Sequence, residues 1–504
     1  MKKLLLILIF LLSTALFAQN YVADITFGSN GAVFNNGVNF YPEDVLLVND
    51  NYYFISQKKV GKVNYSGAID TSFGTDGFIT LDGNGVFYFI KGFKYIGNYF
   101  YLYGSVYDSE SSNDIFICKI DEDGNFDTSF GTNNFARIDF ESAETINDLV
   151  IDADGNLFCI GSRDAYNPLP SLLIYFKINP NGTLNTAFDA NGYKSLLLNY
   201  HSYGNYLYPY GDNYLLIGKD IIYNSNPQLA QQKLYISMVN NNGSLITTFG
   251  TNGSVTASLS EGAICNINDV ELLDNNLYVN FFHEQSDSAN GSNLLKFNLT
   301  TQETVYNIAV QYVYDMQVES NGINITGISL CEPETDIFCE RDFQFRKKFL
   351  NGEDDTATTP YTYSFPTTDI DFPGYSDDQS VKIYKDLNGK ILLAGVSTIY
   401  NGGSGFSAVR LQETPLSTEI IIKNDLSVYP NPFKDIVTIA GNNDKIKNIQ
   451  IIDIGGRIIF SQNFSSSYIS KTTVNLYIIQ QSGVYTIKIT TIANDVFTKK
   501  IIKQ

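Results

Sequence analysis

The stretch "DTSFGTDGFITLD", Asp70 to Asp82, is written again and again along this chain. It returns as "DTSFGTNNFARIDF" from Asp127, "NTAFDANGYKSLLL" from Asn185 and "ITTFGTNGSVTASL" from Ile246, with a fainter copy, "DITFGSNGAVF", at Asp24. The phenylalanine of the phrase stands at Phe27, Phe73, Phe130, Phe188 and Phe249, a spacing of 46 to 61 residues. Self-similarity at such a period marks a repeat architecture. A second phrase lies between the markers: an apolar run, a polar turn, then another apolar run ending near glycine. Its clearest copy is "INDLVIDADGNLFCIGS" from Ile146. Its relatives are "EDVLLVNDNYYFISQ", "FKYIGNYFYLYGS", "YLYPYGDNYLLIGK", "INDVELLDNNLYVNFF", "VYDMQVESNGINITGIS" and "VKIYKDLNGKILLAGVS", seven copies in all.

Asp-Gly, Asn-Gly or Asn-Asn between two short apolar runs signals a hairpin, because the turn needs positive φ. A third strand follows, as in "DIFICKI" and "LLIYFKI", and then the "-SFG-" phrase with a final strand. Each unit therefore has about four antiparallel strands. One such sheet has two apolar faces and cannot bury both alone, whereas a ring of sheets can. Four-stranded units at this period predict an all-β fold, a β-propeller of about seven blades over residues 19–413. The last third-strand copy, "GFSAVRL" (Gly405 to Leu411), lacks a following phrase, and the first phrase lacks a preceding unit. Both defects cancel if the N-terminal strand completes the last blade. The phrase is then scaffold: its phenylalanine buries against the neighbouring blade and the next glycine turns the chain. The pattern resembles the delta-60 repeat family of propellers, which implies a fold and carries no activity.

Both ends carry an address. Residues 1–18 read as a signal peptide: Lys2 and Lys3, an apolar core from Leu4 to Leu12, and small residues up to Ala18. Residues 414–425 read as a linker. From 426 to 504 short alternating runs predict a small immunoglobulin-like β-sandwich. The "VYPNP" set (Val428, Tyr429, Pro430, Asn431, Pro432), the "D-x-x-G-R" set (Asp453, Gly456, Arg457) and "SGVY" with Gly483 and Tyr485 stand in order along it. This segment resembles the type A C-terminal sorting domain of the type IX secretion system of Bacteroidetes. The resemblance implies passage through the type IX secretion machinery as partner, and a protein that is secreted or attached to the outer-membrane surface.

The chain carries a formal charge of −20 over 504 residues. After Leu426 nine Lys/Arg face four Asp/Glu, so the body before it is the acidic part. That argues against nucleic acid or an anionic membrane as partner, and no further apolar run is long enough to span a bilayer. Of five cysteines, Cys331 and Cys339 in "CEPETDIFC" are a candidate disulfide, and Cys118, Cys159 and Cys265 sit in strand-like runs as small hydrophobes. There are two histidines, His201 and His283, and no Trp. No nucleophile elbow or phosphate-binding glycine loop occurs. "DEDGNFD" (Asp121 to Asp127) and "DADGN" (Asp152 to Asn156) have the wrong spacing for an EF-type calcium loop and read as turns. No catalytic, metal or cofactor residue is expected. The leading expectation is an exported binding or structural protein of unknown ligand. The alternatives are a secreted hydrolase or lyase using channel carboxylates, and a cell-surface adhesin.

Overall fold

The computed structural model describes residues 20–35, 40–82, 86–107, 113–164, 170–199, 201–222, 231–261, 264–284, 291–328, 341–365, 376–399, 403–414, 427–440, 446–453, 457–464, 471–477, 479, 481–491 and 496–504. The expected signal peptide, Gly456 and the Cys331–Cys339 pair lie outside the described residues, as does the expected linker beyond Thr414. The chain divides into two units, Met1–Thr414 and Pro415–Gln504.

Seven antiparallel sheets follow one another through the first unit, and each is strung in chain order. Blade 1 holds Asp44–Val48, Asn51–Ser56, Lys59–Asn64 and Phe78–Thr80. Blade 2 holds Phe87–Ile96, Tyr99–Tyr107, Asp114–Ile120 and Phe135–Ile138. Blade 3 runs through Ala143–Ile151, Leu157–Asp164, Leu172–Ile178 and Tyr193–Leu196. Blade 4 comprises His201–Tyr210, Asn213–Ile222, Gln231–Asn240 and Ser254–Glu261. In blade 5 stand Ile264–Leu273, Asn276–Glu284, Gly291–Asn298 and Glu303–Val310. Blade 6 is made of Val313–Glu319, Gly322–Ile328, Phe343–Lys348 and Tyr361–Tyr363. Blade 7 starts with Ser376–Lys385, Ile391–Ile399 and Gly403–Glu413.

The N-terminus completes blade 7, in two pieces rather than one. Tyr21–Ala23 pairs with Leu411–Glu413, and Ala32–Asn35 pairs with Phe406–Val409 on the same strand. Between them the "DITFG" phrase loops out. The ring is closed by packing as well as by pairing, because one apolar cluster fills each seam between consecutive blades. Tyr53, Phe73, Phe100 and Phe116 fill the seam of blades 1 and 2, and the series continues around to Phe27, Phe40, Phe54 and Phe406 between blades 7 and 1. The remaining five seams have their own clusters. Each blade thus covers an apolar face of its neighbour, which a single sheet in water cannot do for itself.

The recurring phrase turns out to be a capped turn stitched to the third strand. Asp24, Asp70, Asp127 and Asn185 each accept the N–H two residues on, at 3.0–3.1 Å. Their own N–H groups bond to the carbonyls of Arg410, Lys62, Lys119 and Lys177. A copy too degenerate to read in the sequence lies in blade 6: Asp355 bonds to Lys347 O and caps Ala357, with Thr358 where phenylalanine stands elsewhere. The "VYNIAV" and "YTYSF" segments are outer strands of blades 5 and 6. Phe27, Phe73, Phe130 and Phe249 are buried, and Phe188 is half-buried. Phe27, Phe73, Phe130 and Phe188 each lie under a turn glycine of the following blade, Gly67, Gly124, Gly182 and Gly243. A Cβ on Gly243 would stand 2.4 Å from Phe188 Cζ, so only glycine admits this approach. The glycine after the phenylalanine is equally constrained: Gly28 has φ +54°, and a Cβ there would meet Ala32 O at 2.1 Å.

At the closure the third-strand cation becomes Arg410, 1 % exposed, whose Nε donates to Asp24 Oδ2 at 2.8 Å. Lys390 Nζ reaches the same oxygen at 2.6 Å, and the guanidinium lies 4.2 Å from the centre of the Tyr65 ring and 4.7 Å from that of Phe27. Burial alone would raise the Asp24 carboxyl. Hydrogen bonds from Lys390 and Thr26 and the Arg410 charge outweigh it and hold the group at about 2.

The second unit is a small β-sandwich of a three-stranded and a four-stranded sheet. Val437, Ile449, Val474, Ile487 and Ile501 from the two sheets fill its interior.

Replacing Arg410 by Met leaves a buried carboxylate short of one of its two cations and should cost about 3–5 kcal/mol of propeller stability. Lys62→Met at the same repeat position, where Asp70 is 27 % exposed in its side chain, should cost about 1 kcal/mol or less. Urea unfolding of both variants checks the contrast.

Candidate functional site

The first strand of every blade faces a central channel. These strands carry a β-bulge at the same place in blades 2 to 7, between Ile90 and Gly92, Ile146 and Asp148, Gly204 and Tyr206, Ile267 and Asp269, Val313 and Asp315, and Ser380 and Lys382. A bulge re-aims the side chains beside it. Asp44 occupies the matching position of blade 1. One level of the channel therefore reads Asp44, Gly92, Asp148, Tyr206, Asp269, Asp315, Lys382 around the ring, with Lys94, Tyr208, Glu271 and Gln317 two residues further along their strands. The cavity they line has a volume of about 1050 Å³.

Most of these carboxylates bind the neighbouring blade. Asp148 Oδ2 accepts Leu207 N–H at 3.0 Å, Asp269 Oδ2 accepts Met316 N–H at 3.2 Å, and Asp315 Oδ2 accepts Ile383 N–H at 2.9 Å. In each case the donor follows the bulge of the next blade. Two of the other oxygens meet cations: Lys94 Nζ lies 3.0 Å from Asp148 Oδ1, and Lys382 Nζ lies 3.2 Å from Asp315 Oδ1. The tyrosines reach across likewise, with Tyr206 Oη donating to Asn268 O at 2.7 Å and Tyr208 Oη to Val270 O. This aspartate was legible and overlooked: "EDV", "IND", "IND" and "VYD" place it at one position of the second phrase.

The electrostatics follow from burial and crowding. Burial, then Asp315 and Glu271, push the Asp269 carboxyl well up. Burial also raises Asp315. Glu271, half-buried, is pushed up to about 7 by burial and by the Asp315 charge. The Asp148 charge raises Lys94. For Lys382 burial works against the charge, but Asp315, Asp44 and Asp269 outweigh it and hold the ammonium well above its ordinary value.

The other singled-out residues sit elsewhere. Asp121 Oδ1 accepts the N–H groups of Asp123 and Asn125 at 3.0 and 2.8 Å, and Asp152 does the same with Asp154 and Asn156, so both acidic loops are turns closed by their first carboxylate. His201 Nδ1 accepts Ser171 N–H at 2.8 Å in blade 4, and His283 Nε2 pairs with Asn293 at 3.0 Å in blade 5. Cys118, Cys159 and Cys265 are fully buried.

In the C-terminal unit Val428 is buried and Tyr429 exposed, and Pro430 and Pro432 flank Asn431 at the surface. Asn431 ties this turn to the last strand, donating to Lys500 O at 3.0 Å and accepting Ile502 N–H at 2.8 Å. Asp453 and Arg457 form an ion pair at 2.8 Å. Gly483 opens the strand in which Tyr485 is buried, its hydroxyl donating to Gln481 O at 2.9 Å.

Residues 427–504 match the secretion system C-terminal sorting domain, and residues 101–130 match the β-propeller domain of unknown function DUF5122. The endo-acting ulvan lyase of Formosa agariphila is 26% identical over 121 residues, which is 24% of this chain and 22% of the lyase. The chain thus matches about a fifth of that relative's length. Among solved structures, the Pan2 WD40 domain of Neurospora crassa aligns with a TM-score of 0.41 and 7% identity, over 78% of this chain and 96% of that one. PorZ of the type IX secretion system of Porphyromonas gingivalis aligns with a TM-score of 0.15 and 9% identity, over 94% and 100%. The sorting domain marks an exported β-propeller protein, secreted or held at the outer-membrane surface, and implies an encounter with the secretion machinery. Among the described residues no helix is long and apolar enough to cross a membrane.

A carboxyl whose pKa is higher in the folded than in the unfolded chain loses stability as pH rises between the two values. Glu271 should therefore make the propeller less stable as pH climbs from about 4.5 to 7. Glu271→Gln should flatten that slope while leaving the stability at pH 4 nearly unchanged, as read from melting temperatures across the range.

Proposed function

We propose that this is an exported, non-catalytic binding protein whose ligand enters the central channel, and that the C-terminal sandwich is the label that takes the propeller across the outer membrane. The observation that carries the binding reading is the engagement of the channel carboxylates. Asp148, Asp269 and Asp315 accept backbone N–H groups of the next blade. An acid/base pair needs groups that exchange protons with substrate, and carboxylates that hold blades together are poorly placed for that work. Charges of both signs line the same wall, Glu43, Asp44 and Glu271 with Lys91, Lys94 and Lys219. Such a wall suits a polyhydroxylated ligand, which both donates and accepts hydrogen bonds, better than a highly charged one. Extracellular glycans are the class to test. Of the residues in the sorting motif, Asn431 and the Asp453–Arg457 pair hold the turns that present it.

One observation favours a second reading. The Glu271 carboxyl at about 7 has the proton affinity of a general acid at neutral pH. A secreted hydrolase or lyase would use it with a neighbouring carboxylate.

Soluble glycan fragments titrated into the purified propeller, followed by calorimetry and by assay for reducing or unsaturated ends, separate the two. Binding without product, weakened by Lys91→Ala, is expected. Product formation abolished by Glu271→Gln replaces the binding reading with the enzyme. The address label is tested by removing residues 427–504. The full chain should reach the medium or cell surface and the truncated one remain in the periplasm. Equal distribution of both forms would assign the sandwich some other role.

A further inference from the structure

Away from the channel, three carboxylates converge at the seam of blades 2 and 3. Asp114 begins the third strand of blade 2, Asp139 directly follows that blade's outer strand, and Glu144 lies near the start of the first strand of blade 3. The Glu144 N–H donates to Asn113 O at 2.8 Å and so fixes the two blades edge to edge at this point. One carboxylate oxygen from each of the three residues lies within 4.8 Å of the others.

Glu144 is the unusual member. Its side chain is wholly buried, and neither Oε1 nor Oε2 completes a hydrogen bond. The nearest cation, Arg163, stands 3.8 Å away and directs its Nε–H instead to Phe140 O at 3.0 Å. The Phe140 N–H is the backbone group that favours the charged form of Glu144. Asp114 is held from the other side, its Oδ2 gripped by Arg137 Nε at 2.8 Å and Nη2 at 2.7 Å. Asp139 is exposed, and its Oδ1 accepts the Glu141 N–H at 2.6 Å. A buried carboxylate without donors costs several kcal/mol unless something neutralises it.

We propose that Asp114, Asp139 and Glu144 bind a calcium ion that pins blade 2 to blade 3. Hard oxygen ligands select a hard divalent cation, and oxygens within 4.8 Å of one another can all reach one calcium ion at about 2.4 Å. Magnesium dehydrates reluctantly and demands a near-ideal octahedron, which three carboxylates fixed on two blades supply poorly. Asp139 at the surface is the entry, and water completes the shell. The sequence concealed the site because its ligands come from two repeat units, with none of the spacing of a calcium loop.

The test uses the mature chain freed of cations with a chelator and titrated with CaCl₂ or MgCl₂ at pH 7.5. Calorimetry and melting temperature are both read, over the sub-millimolar to millimolar range usual for extracellular modules. Calcium should bind at one site and raise the melting temperature by several degrees, with magnesium at least about tenfold weaker. Asp139→Asn, a surface change that leaves folding intact, should weaken calcium by about tenfold or more. Glu144→Gln should abolish the response without lowering the melting temperature in chelator. No calcium response in the wild-type chain overturns the proposal. An equal response in both variants overturns it too, since the ion then binds elsewhere, and a magnesium response as strong as that to calcium removes the assignment of the cation.

Discussion

The closure of the ring on the Asp24–Arg410 pair is the constraint on which the propeller depends. Every blade covers the apolar face of the next, so the first and last faces stay wet unless the chain ends meet. The N-terminal strands accomplish this by pairing with the last strand on both sides of the "DITFG" loop. The loop is anchored at its root by a guanidinium that is almost fully out of water. Elsewhere the same repeat position uses lysine with a more exposed aspartate, as in Lys62–Asp70 and Lys119–Asp127. Arginine at the closure supplies a planar, always charged fork. It bonds Asp24 and the Tyr65 carbonyl while stacking on two rings, which an ammonium cannot match.

A second set of contacts acts nearer the axis. Asp148, Asp269 and Asp315 of the inner strands each accept an N–H just beyond the next blade's bulge, so these three channel-lining side chains also set the register of two blades. This dual use explains why the channel is polar although the seams are not. The bulge frees an N–H from its ladder, and a carboxylate from the preceding blade satisfies it. It also limits the chemistry the channel can support. Glu271 stands two residues further along its strand, outside this pattern, and burial with the Asp315 charge pushes its carboxyl up to about 7.

Much of the architecture was legible because repetition makes weak local signals add. Phe27, Phe73 and Phe130 announced themselves by phrase, and their burial against the next blade's turn follows from one geometry used repeatedly. Where the phrase had decayed, the backbone kept what the side chains had lost. Thr358 fills the place of the phenylalanine, yet Asp355 still caps the turn, since an Asx turn needs only one oxygen at one position. The inner-strand aspartates were visible as a column in the second phrase. Their role was not, because a one-sequence pattern cannot show which N–H a bulge leaves open.

The sequence by itself determined the repeat unit, the seam-filling phenylalanines, the orphan strands that had to meet, and the sorting segment, with Asn431 and the Asp453–Arg457 pair in order. These are local signals: hydrophobic period, turn chemistry and motif spacing act within a few residues. Only the tertiary structure decided that Asp269, Glu271 and Asp315 share one cavity, that Arg410 reaches a residue 386 positions away, and that Asp114, Asp139 and Glu144 converge between two blades. Burial and the nearness of other charges set what a carboxylate does, and both are properties of the ring rather than of any stretch of the chain.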